Sequence, residues 1–111
     1  MKEKVMPEDL IELVPNMLLY GHENARTRSE IVEKSGYNDR YVREIIEAAR
    51  DAGWLVCNEQ DGRGYYLAWT VDEIERQFWR DQNRALSILK RQRPFRQALK
   101  AAGRLKKGAA T

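Results

Sequence analysis

Residues 27–68 read TRSEIVEKSGYNDRYVREIIEAARDAGWLVCNEQDGRGYYLA, and the fold is decided in this stretch. It opens with Thr27-Arg28-Ser29-Glu30, the spacing of a capping box, in which the threonine and the glutamate satisfy each other's orphan backbone donors. A short helix is therefore expected from about Arg28 to Ser35, burying Ile31 and Val32. Gly36 supplies a left-handed stop, and only Tyr37 separates it from the next N-cap candidate, Asn38. From Asp39, apolar side chains at Val42, Ile45, Ile46 and Ala49 follow i, i+3, i+4, i+7 spacing and predict a helix closed by Gly53. Two helices joined by so tight a turn form a helix-turn-helix candidate. The apolar period then changes. Trp54-Leu55-Val56-Cys57 and Tyr65-Tyr66-Leu67-Ala68 read as two strands across a polar turn, Asn58 to Gly64, that contains Asp61-Gly62.

Upstream, PEDLIELVPNMLLY (7–20) places Leu10, Leu13, Val14, Met17 and Leu18 at helical spacing, interrupted by Pro15. A proline inside a helix removes a donor and clashes with the preceding turn, so a broken first helix ended by Gly21 is expected. The polar run Gly21-His22-Glu23-Asn24-Ala25-Arg26 reads as a loop. Downstream, Thr70-Val71-Asp72-Glu73 is a second capping box, and the next proline is Pro94. A fourth helix can then run for about 23 residues, or about 35 Å. Pro94 is expected to end or kink it, leaving a shorter basic helix to about Ala102 and a frayed Gly/Ala-rich end. The expected organisation is a domain over 7–70, a long amphipathic helix over 71–93 for packing or dimerisation, and a basic helical tail over 94–111.

Charge divides the same way. Residues 1–79 carry 10 basic and 16 acidic side chains, a net of −6, whereas residues 80–111 carry 10 basic ones and a single acid, Asp81, a net of +9. Such asymmetry points to a polyanionic partner, nucleic acid or an anionic membrane. No window approaches the roughly 20 apolar residues that span a bilayer. The start, MKEKVMPEDL, lacks the apolar run of a secretory signal, so a cytoplasmic protein is expected. One Cys and one His can build neither an intrachain disulfide nor a closed zinc site.

Helix, helix, helix and a two-stranded hairpin is the order of a winged helix. The segment from Thr27 to Ala68, with the helix Asp39 to Gly53 and the GYYLA (64–68) ending of the wing, resembles winged-helix DNA-binding proteins. More narrowly, Gly21-His22-Glu23-Asn24-Ala25 and the helix after the wing resemble small phage and prophage proteins of Gram-positive bacteria. The resemblance covers roughly residues 10–100. It implies a mainly α fold with a small β-hairpin wing, a winged helix-turn-helix followed by a long C-terminal helix. It also implies sequence-specific binding of double-stranded DNA in the bacterial host cytoplasm, as a transcriptional regulator or as a replication or origin-binding component. In such domains the third helix enters the major groove and the preceding helix steadies the backbone.

Carried onto this chain, the reading helix offers Arg40 and Arg43 in its first turns, where a guanidinium fork can bind guanine O6 and N7 or clamp a phosphate. Asn38 can read adenine, although as N-cap its oxygen is committed to a backbone amide. Tyr37 and Tyr41 offer hydroxyls to phosphates. Arg26 and Arg28 flank the N-cap of the second helix, where backbone amides favour an anion. Arg63 is the one basic residue of the wing, suited to a minor groove or the backbone, or else simply solvated. A blander reading stands beside this one. Arg40 with Glu44, and Arg43 with Glu47, are spaced i, i+4 and can pair along an exposed face. Residues 26–64 carry 7 basic and 8 acidic side chains, a poor balance for neutralising phosphates.

The fourth helix carries more apolar surface than one packing face requires. Trp79, Leu86 and Leu89 are candidates for a homodimer interface, against the simpler role of completing their own domain. Lys90, Arg91, Arg93, Arg96 and Lys100 form the candidate DNA-backbone tail; the alternatives are a membrane-surface helix or a solvated end. Enzymatic readings find no support. Gly62-Arg63-Gly64 lies in a hairpin and opens no helix, Cys57 falls in a strand where a buried thiol is common, and Asp72 and Glu73 serve a helix cap. His22 is assigned a loop or turn contact. No catalytic residue, metal, cofactor or small-molecule ligand is expected. The competing function is a protein-interaction module that uses the winged helix as scaffold and the fourth helix as its partner surface.

Overall fold

The computed structural model describes residues 5–59 and 64–105, so Arg63 and the last basic side chains, Lys106 and Lys107, lie outside the described residues. The elements run α1 (Pro7–Met17), a 3₁₀ turn (His22–Asn24), α2 (Arg28–Ser35), α3 (Asp39–Asp51), β1 (Val56–Asn58), β2 (Tyr65–Leu67), α4 (Val71–Arg91) and α5 (Arg93–Ala101). The chain is mainly helical, with a small antiparallel sheet and a long helix towards its C-terminal end.

The helix boundaries follow from side-chain chemistry. Thr27 Oγ1 accepts from Glu30 N at 3.1 Å while Thr27 N donates to Glu30 Oε1 at 2.8 Å, which closes the expected box at the start of α2. Gly36 ends α2 in the left-handed region, φ +79°, where a side chain would be strained. Asn38 Oδ1 accepts from Tyr41 N at 2.8 Å and caps α3. Val42, Ile45, Ile46 and Ala49 are buried along one side of α3. Leu10, Val14 and Met17 of α1, Leu18, Ile31 of α2, Val56 of β1 and Leu67 of β2 complete that core. Burying a large aliphatic side chain contributes about 1.5–3 kcal/mol.

Three expectations are corrected. Pro15 does not break the first helix. It stands in the last turn of α1, where the one bond it removes, its own to Ile11 O, comes just before the helix ends, and Leu18 N still donates to Val14 O at 2.9 Å. That helix ends at Met17 rather than at Gly21, because residues 18–20 turn extended to meet β2: Leu67 N donates to Leu19 O at 2.8 Å, and Tyr20 bridges Leu67 in parallel. The first strand begins at Val56 rather than Trp54, since Trp54 N is taken by Ala49 O at the end of α3.

β1 and β2 pair antiparallel in the register Val56↔Leu67, Cys57↔Tyr66, Asn58↔Tyr65. On its other side β2 receives Tyr20 and Arg26, one bridge each, so the Gly21 to Arg26 loop is pinned to the sheet at both ends. Gly64 is packed there so closely that a Cβ on it would lie 2.9 Å from Ala25 Cβ.

The polar centre of this packing is Glu73, which is 5% exposed. Its Oε1 accepts from Trp69 N at 2.7 Å and Thr70 N at 3.1 Å, and its Oε2 accepts from His22 N at 2.9 Å. Burial pushes the carboxyl pKa up, but the amides of Trp69, His22 and Thr70 outweigh it and hold the group below its ordinary value. One side chain thus caps α4 and anchors the 3₁₀ turn. A turn further on, Gln77 Oε1 accepts from Asn58 N at 3.1 Å and Gln77 Nε2 donates to Asn58 Oδ1 at 3.0 Å.

These bonds explain where the compact units divide: Met1–Gln77 and Phe78–Thr111. The division falls inside α4 and not at residue 70, because the opening turns of α4 are bonded to the sheet and the loop. In the second unit, Pro94 stands in the first turn of α5, where its missing donor costs nothing. Gln92 N closes the end of α4 on Ile88 O and Leu89 O.

Candidate nucleic-acid interface

The turn Gly36 to Asn38 sets the start of α3 beside the start of α2. Its consequence is a charged cluster. Asp39, the first residue of α3, accepts from Arg28 Nε at 2.6 Å through Oδ1, and its Oδ2 lies 3.8 Å from Arg43 Nη1. One carboxylate therefore gathers an arginine from each helix. The Asp39 hydrogen bond and charge raise the Arg28 pKa further above its already high value, and the Tyr65 hydroxyl adds to the effect. About half of each of these side chains is exposed: 43% for Arg28, 47% for Asp39 and 61% for Arg43. Donors of both guanidiniums remain for a ligand, since Asp39 has only two oxygens to offer.

Arg40 stands beside this cluster, its side chain 77% exposed, with Nε 3.6 Å from Glu44 Oε1. The expected i, i+4 pairing thus forms for Arg40. For Arg43 the partner differs from expectation: Asp39 one turn earlier takes the place of Glu47, because Asp39 already faces Arg28 on the same side of α3. Tyr37 and Tyr41 meet edge to face, with ring centroids 5.0 Å apart. Asn38 spends its oxygen on the cap, as anticipated.

Arg26 is drawn into the fold. Its Nη1 donates to Met17 O at 3.1 Å, at the C-terminal end of α1 where orphan carbonyls need donors, and its backbone pairs with Tyr65. Arg50, at the far end of α3, donates to Asn58 Oδ1 at 3.2 Å and lies 5.9 Å over the Tyr65 ring. The cluster brought together is thus Arg28, Asp39 and Arg43, with Arg40, Tyr37 and Tyr41 along the first turns.

In the second unit Lys90, Arg91, Arg93, Arg96 and Lys100 are all exposed. Helical geometry places Arg93, Arg96 and Lys100 on one face of α5, with Phe95 and Leu99 on another. Trp79, Leu86 and Leu89 of α4 are each about half exposed. Among the described residues no helix is long and apolar enough to cross a membrane, and no three His, Cys, Asp or Glu side chains are grouped to hold a metal ion.

The His22 assignment now has its geometry. The backbone of His22 serves Glu73, its ring meets Tyr66 edge to face at 6.1 Å, and its Nε2 lies 3.5 Å from Glu59 Oε1. Cys57 is buried, with Sγ 3.9 Å from Glu73 O. Sequence reasoning missed the Asp39 bridge and the reach of Glu73 to His22. The first had a visible signal, an acid at the opening of a helix whose neighbours are arginines. The second had none, because the partners stand 51 residues apart.

In comparison with known proteins, the chain matches no family model, no curated sequence and no solved structure.

Proposed function

We propose that residues 7–77 form a winged helix-turn-helix that binds double-stranded DNA in a sequence-dependent way, with α3 as the reading helix and α2 steadying it. The observation that carries this reading is the Arg28–Asp39–Arg43 cluster with Arg40 beside it. It presents the guanidiniums of Arg40 and Arg43 at the start of α3, the end that major-groove readers insert, with Arg28 of α2 joined to them through Asp39. The element order supports the same reading, including the short pairings of Tyr20 and Arg26 with β2 ahead of α2. Arg43 and Arg40 contact base edges, Arg28 contacts a phosphate, and Tyr37 and Tyr41 flank them. The exposed cations of α4 and α5 contact the backbone and add affinity without sequence information. The body is acidic, so specificity rests on a few arginines while most of the attraction comes from the basic C-terminal unit.

The biological role is that of a phage-type regulator of transcription or a replication and origin-binding component; the resemblance in sequence alone supports that context. A second reading, an interaction module with the winged helix as scaffold, draws support from the exposed apolar side chains of α4. Repeated selection of bound duplexes from a random pool separates the two. A sequence-specific binder enriches a consensus that Arg43→Ala degrades, whereas a pool that stays random through successive rounds counts against sequence reading.

A further inference from the structure

We propose that α4 pairs with α4 of a second copy of this chain in antiparallel orientation, with Trp79, Leu86, Phe78 and Leu89 at the interface. This goes beyond DNA binding and does not rest on it. The first observation is exposure. Phe78, Trp79, Leu86 and Leu89 are between 50% and 55% exposed, on a helix whose opposite side carries Arg76, Arg80 and Arg84. Each leaves on the order of 100 Å² in solvent, about half of what a large side chain buries. Two copies, with Gln82, Ala85 and the stems of flanking cations, then cover roughly 1,000 Å², the threshold of a specific interface.

The second observation is charge, and it selects both occupant and direction. α4 opens acidic, with Asp72 and Glu75 exposed, and ends basic at Lys90 and Arg91, with Arg93 following. A parallel pair would stack these basic ends on each other, which is unfavourable. An antiparallel two-fold brings like flanks of the two helices together, each running the opposite way. On the flank that carries Trp79, the order along the chain is Asp72, Glu75, Trp79, Leu86, Lys90, Arg93. Read against itself backwards, this series sets Asp72 opposite Arg93 of the second copy, Glu75 opposite Lys90 and Trp79 opposite Leu86. The central stripe reverses about a point one residue further along: Phe78 falls opposite Leu89, and Gln82 opposite Ala85, which keeps bulk away from the crossing. A face that is its own complement under one operation is what a symmetric dimer requires.

Sedimentation equilibrium of the whole chain without DNA tests this. The expected mass is twice the 13.0 kDa of the monomer. Leu86→Glu should return the protein to monomer while the helical circular-dichroism signal and melting of the body stay unchanged, because Leu86 lies outside the core. Glu75→Lys and Lys90→Glu should each raise the dimer dissociation constant by about tenfold, and the double variant should restore it to within about threefold of wild type. A wild-type chain that stays monomeric at about 100 μM, where even a weak interface of this size assembles, overturns the proposal. A double variant weaker than either single one overturns the antiparallel direction.

Discussion

Replacing Glu73 by glutamine tests the structural centre of the body. The carboxylate has two oxygens and three backbone donors: Oε1 holds Trp69 N and Thr70 N, and Oε2 holds His22 N. An amide keeps one oxygen. Turned to serve Trp69 and Thr70, it points its NH₂ at the His22 N–H, donor against donor. A buried donor left unpaired costs about 1–3 kcal/mol, and exchanging a charged acceptor for a neutral one weakens the two remaining bonds by about 1 kcal/mol together. The expected destabilisation is thus about 2–4 kcal/mol, which for a body of this size lowers Tm by roughly 10–25 °C.

The same site sets an acid limit. Because the folded carboxyl pKa is lowered, its contribution is present above the ordinary carboxylate pKa and is lost as pH falls through the folded value. Wild type should therefore lose stability progressively below about pH 4.5, and Glu73→Gln should show a shallower loss over that window. Circular-dichroism melts at about pH 7, 4 and 3 read both effects. A variant that melts within about 2 °C of wild type at neutral pH, or one with the same acid slope, would show that the Glu73 carboxylate does not hold the three amides in place.

Other outcomes follow from the same geometry. Gly64→Ala puts a Cβ 2.9 Å from Ala25 Cβ and should cost about 1–3 kcal/mol, whereas Gly36→Ala meets no atom and should cost about 1 kcal/mol for its positive φ alone; urea titrations measure both. Arg40→Ala and Arg43→Ala should each narrow the gap between preferred and random duplex by about 1–3 kcal/mol, read by competition binding, and undiminished discrimination would remove α3 as reader. Replacing Arg93, Arg96 and Lys100 by glutamine should weaken binding to all duplexes alike and reduce the salt slope by about 0.9 for each phosphate no longer neutralised. An unchanged slope would reject the tail as a backbone clamp.

The helices of the body were legible because their signals are local. Thr27 with Glu30, Gly36, Asn38 and the Val42/Ile45/Ile46/Ala49 stripe each act within a turn or two of themselves, and the structure places α2 and α3 where they predict. Pro15 misled because its cost depends on where in the helix it falls, and the end of α1 is set by the pairing of residues 18–20 with β2, a strand far along the chain. The compact units likewise divide inside α4, after Gln77, because of bonds to residues far along the chain. Glu73 looked complete as a local cap, but its third donor, His22, together with the Gln77–Asn58 pair a turn further on, ties the start of α4 to the body. At the candidate site the arginines were legible as residue types on an exposed face. Their arrangement was not, since the Asp39 bridge joins two helices and exchanges the partner expected for Arg43.

Fluorescence anisotropy of a labelled duplex, titrated with the whole chain at about 50 mM and about 200 mM salt, tests DNA binding most directly. Arg28, Arg40 and Arg43 stand exposed with the five cations of the tail, and engagement of about six of these side chains predicts binding at the lower salt that weakens about a thousandfold at the higher. No binding even at the lower salt, or binding indifferent to salt, would contradict the account.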